Sequence, residues 1–198
     1  MQTFYALIDR YAAAASWQRE AIEAEIWQRY GVVRAVLVLD MCLFTASVHR
    51  DGVLPYLSRI RRMHAITGPI VAAYSGEVVK YQADNLLAVF PDPAQALGAA
   101  LSMRQRLLEG TPSQCVGIGL SYGRILLVPG WDSHGDATNL AFKLGEDVAN
   151  SGEVLATADF IKALDASNKF HHEQRTLNIA DLQFEVFCIA GDSNGPGY

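Results

Sequence analysis

The chain has 198 residues, 51% of them hydrophobic, and a formal charge of −5. That length and apolar content fill one core, so a single domain is expected, and the acidic balance excludes a nucleic-acid surface, which needs clustered Lys and Arg. No apolar run approaches the ~20 residues that span a bilayer. Residues 1–10 lack the basic start and long apolar stretch of a signal peptide. Cys42, Cys115 and Cys188 show no metal or disulfide spacing, so a reduced, cytoplasmic protein is expected.

Residues 3–29 carry a helical pattern, with Phe4, Leu7, Ile8 and Tyr11 resumed by Ile22, Ile26 and Tyr30. Gly31 closes this segment, which is expected to pack on the domain or on a second subunit. The first core strand is 32–39. After the Asp51-Gly52 turn, Leu54, Leu57, Ile60 and Met63 mark an amphipathic helix. From Pro69 to Phe90 the pattern predicts strands, one around Tyr74-Ser-Gly76 and a hairpin turning at Asp84-Asn85. Pro91-Asp-Pro93 breaks the chain and starts a helix over 94–109. Strands at 116–120 and 124–128 flank Tyr122-Gly123. A helix over 138–150, a strand at 154–156, a helix at 158–164 and a strand at 183–189 complete the order. The alternation indicates an α/β (α+β) domain with a mixed or antiparallel sheet. Residues 1–31 form the helical lead, 32–190 the main domain, and the Gly- and Ser-rich stretch 191–198 a disordered tail.

Three blocks carry chemistry. Ala35-Val-Leu-Val-Leu-Asp40-Met-Cys-Leu-Phe-Thr45 and Val78-Val-Lys-Tyr-Gln-Ala-Asp84-Asn85 each place a carboxylate beside a core strand. Two such acids at a sheet edge can converge on hard cations, which usually accompany phosphate. The third block, Asp132-Ser-His-Gly-Asp-Ala-Thr-Asn139-Leu-Ala-Phe-Lys143, sets Asn139 and Lys143 four residues apart, on one face of a helix.

In this order and at these separations, the blocks resemble the class III nucleotide cyclase catalytic domain over roughly residues 33–190. The family pattern is an apolar strand, then Asp-x-x-Gly-Phe-Thr, Lys-x-x-Gly-Asp and Asp-x-x-Gly-x-x-x-Asn-x-x-x-Arg. The resemblance implies a ferredoxin-like βαββαβ core and conversion of a nucleoside triphosphate to a 3′,5′-cyclic monophosphate and pyrophosphate. It implies two divalent metal ions, Mn²⁺ or Mg²⁺, on Asp40, Asp84 and the Met41 main chain, and phosphate-binding N–H groups at Phe44 and Thr45. It further implies base recognition by Lys80 and Asp132, ribose orientation by Asn139, and transition-state contact by Lys143. The active sites are expected to be shared across a homodimer.

Four departures are visible. Leu43 stands for the family's Gly, Ala83 for the Gly before the second aspartate (a small change), and Lys143 for Arg, which loses the planar fork. No Lys occurs in Arg175-Thr-Leu-Asn-Ile-Ala-Asp181, where the family has a phosphate-binding Lys; Arg175 is the nearest substitute. Lys80 and Asp132 are the pair typical of adenylate cyclases. One donor and one acceptor also suit uracil or cytosine, and Tyr81, Gln82 and Trp131 are expected to shorten the pocket toward a pyrimidine. His134, between Asp132 and Asn139, is expected to line the site. The short helical lead and the divergent blocks resemble bacterial anti-phage pyrimidine cyclases, which implies a uridylate cyclase making cyclic UMP. An adenylate cyclase, or an inactive cyclase-homology domain that binds nucleotide, are the alternatives.

Overall fold

The structure, a computed structural model, describes residues 3–42, 52–164, 170–179 and 182–190. Its centre is β1 (Gly31–Met41), in which every residue from Ala35 to Leu39 is fully buried. Such a run shows no alternation because both faces of the strand are covered. Odd-numbered Ala35, Leu37 and Leu39 face α3 (Val53–Ala73) and α4 (Pro93–Leu108), and pack with Tyr56, Ile60, Met63 and Met103. Even-numbered Val36 and Val38 face the other side, against Ala137 and Ala141 of α5 (Asp136–Phe142).

Around β1 lie β2 (Glu77–Gln82), β3 (Asn85–Phe90) and β4 (Val116–Val128), in the order β2-β3-β1-β4 and antiparallel throughout. With α3 between β1 and β2, and α4 between β3 and β4, this is the ferredoxin-like βαββαβ core expected. The sheet continues through β6 (Val154–Thr157), parallel to β4, to β8 (Leu182–Ile189) and β7 (His172–Ile179); β5 (Asp132–His134) pairs with the far end of β4. Between β6 and the last two strands runs a short helix, α6 (Ala158–Ala163).

The helical lead is two helices, α1 (Phe4–Ala13) and α2 (Ser16–Tyr30). Phe4, Leu7, Ile22 and Ile26 bury against Leu126 and Val128, so the lead packs on β4 of its own chain. Arg10 reaches Glu25 and ties the two helices together. No helix among the described residues is long and apolar enough to cross a membrane.

Several elements differ from expectation. α3 runs through Pro69 to Ala73, where strand was predicted, because Met63, Thr67 and Val71 are buried and outweigh one lost hydrogen bond. β4 is one strand of 13 residues, not two; Tyr122 and Gly123 stay in register with Ala35 and Arg34. The helix expected over 138–150 is α5 followed by a π-helical turn (Lys143–Val148), in which the Ala149 N–H reaches back five residues to Leu144. β5 and β7 were not predicted. The tail 191–198 lies outside the described residues.

α5 and the π-helical turn sit unusually close to the sheet because glycines line the contact. A Cβ on Gly119 would stand 2.1 Å from the Ala141 carbonyl oxygen and 2.6 Å from the Gly145 nitrogen. One on Gly145 would stand 2.8 Å from the Val38 carbonyl oxygen. Gly119→Ala must therefore push backbone from backbone, an overpacking loss of roughly 1–3 kcal/mol. Each kcal/mol lowers Tm by roughly 2–4 °C in a chain of this size. A Gly119→Ala variant that melts within a degree of wild type would refute this packing.

Candidate active site

β1 delivers Asp40 to the even-numbered face at the strand end, opposite Asn85 on β3 and Gly117 on β4. Asp84 occupies the two-residue turn Ala83-Asp84 that joins β2 to β3. The two carboxylates are close enough for the charge on Asp84 to act on Asp40. Burial, then Asp84, then Glu146 push the Asp40 carboxyl up to about 7, against the Met41 N–H, which lowers it. Glu146 and Asp147 come from the π-helical turn. Glu146 is itself raised by burial, by Asp147 and by Asp84, and it accepts a hydrogen bond from the Asn85 amide. The side-chain Oδ1 of Asn85 is buried without a partner. Two carboxyls raised by burial and by acidic neighbours, beside an orphaned oxygen, describe a site short of positive charge.

That donor set fits a hard divalent cation, which takes carboxylate and carbonyl oxygens and completes its shell with water and substrate phosphate. Among the described residues no group of three His, Cys, Asp or Glu converges on one point. The Met41 carbonyl, water and a triphosphate would have to complete the coordination.

Ala83 is left-handed, with φ 51°. The substitution of Ala for the family's Gly is therefore not a small change, since a side chain in that region costs about 1–2 kcal/mol. α3 braces the turn through Tyr56. Burial, then the Arg61 charge, hold the imidazole of His64, also on α3, below its usual range, and its Nε2 is buried without a partner. The Tyr56 hydroxyl donates to Asp84 Oδ2 at 2.7 Å. Burial, the Asp84 bond and the charges of Asp84 and Asp40 keep the Tyr56 phenol protonated well above its ordinary value.

Lys80 and Asp132 are brought together. Lys80 Nζ lies 2.9 Å from Asp132 Oδ1, both side chains about a quarter exposed (25% and 24%). A bulge at Val79 makes this contact. Val78 pairs with Ala88 but Lys80 with Leu87, so the register slips by one and Lys80 joins Leu87 on the α5 face. Regular alternation from Val78 would have turned Lys80 toward α3. Burial acts to raise the Asp132 carboxyl, but the Lys80 bond, the Ser133 N–H and the charges of Lys80 and His134 outweigh it and hold it low.

Asn139 lies on α5 and is exposed; Lys143 opens the π-helical turn, its N–H bonded to the Asn139 carbonyl, and its side chain is ion-paired to Asp147 at 2.7 Å. Phe44 and Thr45 lie outside the described residues. The expectation of a shortened pocket is not met in this chain. Tyr81 turns to α3, where its ring stacks on His64 at 3.8 Å and its hydroxyl meets Thr67 at 2.9 Å. Gln82 is exposed, and Trp131 is 63% exposed. His134 stacks its ring on Phe4 at 5.4 Å and anchors α1, while its charge acts on Asp132. Arg175 is ion-paired to Glu153 at 2.8 Å, so its charge is already neutralised. Sequence reasoning missed Tyr56 and Glu146. Tyr56 begins the apolar series Tyr56, Ile60, Met63, and a phenol on a buried stripe needs an acceptor; Glu146 lies one turn beyond Lys143.

No protein-family model matches the chain, and no curated protein matches it in sequence. Solved structures do match its fold. The catalytic core of a rhodopsin-guanylyl cyclase with converted specificity, in complex with ATPαS, aligns with a TM-score of 0.72 and 19% identity, over 81% of this chain and 96% of that one. An adenylate/guanylate cyclase/hydrolase from Silicibacter pomeroyi aligns at 0.71 and 22% identity, over 82% and 98%. Adenylate cyclases from Trypanosoma brucei, in their monomeric state, align at 0.71 and 15%, over 79% and 87%. The architecture is that of the adenylate and guanylate cyclase catalytic domain.

The Asp40 carboxyl gives a pH signature without any cation. Its folded value of about 7 lies above the ordinary 3.8. Between those values the native state keeps a proton that the unfolded chain has lost, so this group's contribution to stability falls as pH rises from about 4 to about 7. In EDTA, Asp40→Asn should therefore melt above wild type at pH 8, and the gain should vanish near pH 4. Thermal scans at both pH values check this; an equal gain at both would contradict the carboxylate crowding.

Proposed function

We propose that this chain is a metal-dependent nucleotide cyclase. The observation that carries the reading is the meeting of Asp40 and Asp84 at the end of a buried strand in a cyclase-type fold. Asp40, Asp84 and the Met41 main chain would hold two divalent ions, Mn²⁺ or Mg²⁺. When bound, these lower the pKa of the ribose 3′-hydroxyl and neutralise charge on the triphosphate.

The chain's own groups bind and orient. Phe44 and Thr45 offer main-chain N–H groups to the phosphates. Lys80 and Asp132 hold the base, Asn139 orients the ribose, and Lys143 leaves Asp147 to meet the charge that develops at the α-phosphate. The 3′-oxygen forms the new bond to the α-phosphorus as the bond to pyrophosphate breaks. Lys143 supplies a point charge rather than a fork, so it stabilises charge without fixing direction.

For the base we propose UTP, giving cyclic UMP: Lys80 donates to O4 and Asp132 accepts from N3–H. ATP is the second reading. It is favoured by the outward Trp131 and by the turn of Tyr81 toward α3, which leave the pocket unshortened in this chain. Incubation with each of the four triphosphates and Mn²⁺, with products identified by mass, tests both. Cyclic AMP as sole product would overturn the uridylate assignment, and no cyclic product from any triphosphate would overturn the enzyme. Asp40→Ala and Asp84→Ala should each lose at least ~100-fold in rate while keeping the fold. Activity within a few-fold of wild type in both would remove the metal assignment.

The active unit we propose is a homodimer, with Asp40 and Asp84 from one subunit and Lys80, Asp132, Asn139 and Lys143 from the other in each site. Inactive Asp84→Ala and inactive Asn139→Ala should then complement. A heterodimer has one site with both lesions and one with neither, and should recover about half of wild-type turnover. Isolated heterodimers that stay inactive would refute the shared site.

A further inference from the structure

Tyr56 is 4% exposed, on the first turns of α3, with its ring in the apolar cluster that holds Leu39, Met41 and Ile60. Packing fixes the ring, and the one polar atom it carries needs a partner in the core. The 2.7 Å bond to Asp84 Oδ2 has the usual length of a hydroxyl donating to an oxygen. Asp84 sits on a two-residue turn, where backbone support is least. Just before it stands Ala83, in the left-handed region. The hydroxyl on α3 thus grips the carboxylate of this turn.

We infer that Tyr56 is a positioning residue for the cation site: its hydroxyl fixes the Asp84 carboxylate through Oδ2 and leaves Oδ1 to the metal. The inference rests on the metal-binding role proposed above for Asp40 and Asp84. A carboxylate on a turn samples several rotamers, and each cation bound must first select one. A donor on a rigid helix makes that selection before the cation arrives. Outer groups that orient metal ligands in this way typically contribute 10–100-fold to metal affinity or activity. The position is open to test because Tyr→Phe removes one oxygen and keeps the ring that fills the core.

The decisive measurement is Mn²⁺ binding by electron paramagnetic resonance of the free ion, on the full chain, for wild type, Tyr56→Phe and the double variant Asp40→Ala/Asp84→Ala. Tyr56→Phe should keep its circular dichroism spectrum and bind Mn²⁺ about ten-fold more weakly than wild type. Its turnover should recover in part as Mn²⁺ is raised. Mn²⁺ affinity within two-fold of wild type, with only a lower Tm, makes Tyr56 a core residue and overturns the inference while the metal site stands. Wild type that binds Mn²⁺ no better than the double variant removes the metal site, and the inference with it. If Tyr56→Phe does not fold, Tyr56→Met, which also lacks the hydroxyl and fills the space with a flexible chain, gives the same reading.

Discussion

Two carboxyl groups held at the end of a desolvated strand are the constraint around which this structure is arranged. β1 is covered on both faces, so Asp40 emerges from a wall of apolar side chains and has little water to share. Asp84 then approaches from the neighbouring hairpin, and Glu146 from the π-helical turn. Without a counter-ion this arrangement opposes its own ionisation, which is why Asp40 holds a proton until near neutral pH. Burial and rigid packing elsewhere must offset the repulsion. The glycine contacts at Gly119 and Gly145, which bring helix backbone directly onto sheet backbone, hold the acidic turn in place.

The same crowding favours positive charge at this end of the sheet. A surface that repels its own protons' loss gains most from a ligand of concentrated positive charge, and oxygen donors favour hard cations over soft ones. Lys143 and Lys80 relieve it only in part: the Lys80 charge acts to lower Glu146, but each lysine is ion-paired to an acid, Asp147 and Asp132. Positive groups of the chain are thus stored in neutral pairs beside a net negative centre. Nucleotide binding would have to exchange these partners rather than fill an empty space.

Much of the core was legible in the sequence because its signals are local. The apolar run before Asp40, the Pro91-Asp-Pro93 break and the helical spacing of Asn139 and Lys143 each act within a few residues. What escaped depended on partners distant in sequence. β5 has three residues and is defined only by its pairing with β4, and β7 only by β8. The continuation of α3 past Pro69 follows from burial of Thr67 and Val71 against other elements. His134 looked like a site residue by position, yet its partner Phe4 lies 130 positions away in the chain. Tyr81 and Trp131 were assigned to the pocket by proximity in sequence, but side-chain direction decides, and one turns to α3 and the other to solvent.

The bulge at Val79 also gives β2 a tolerance that a regular strand lacks. β2 is the edge strand of the sheet, bonded to β3 alone, so a shift in its register disturbs one neighbour rather than two. Val79 is the extra residue, because Val78 and Lys80 already oppose adjacent residues of β3, so its loss would leave Lys80 opposite Leu87 on the α5 face. An edge strand that carries one spare residue can therefore shed it without turning over the side chains that follow.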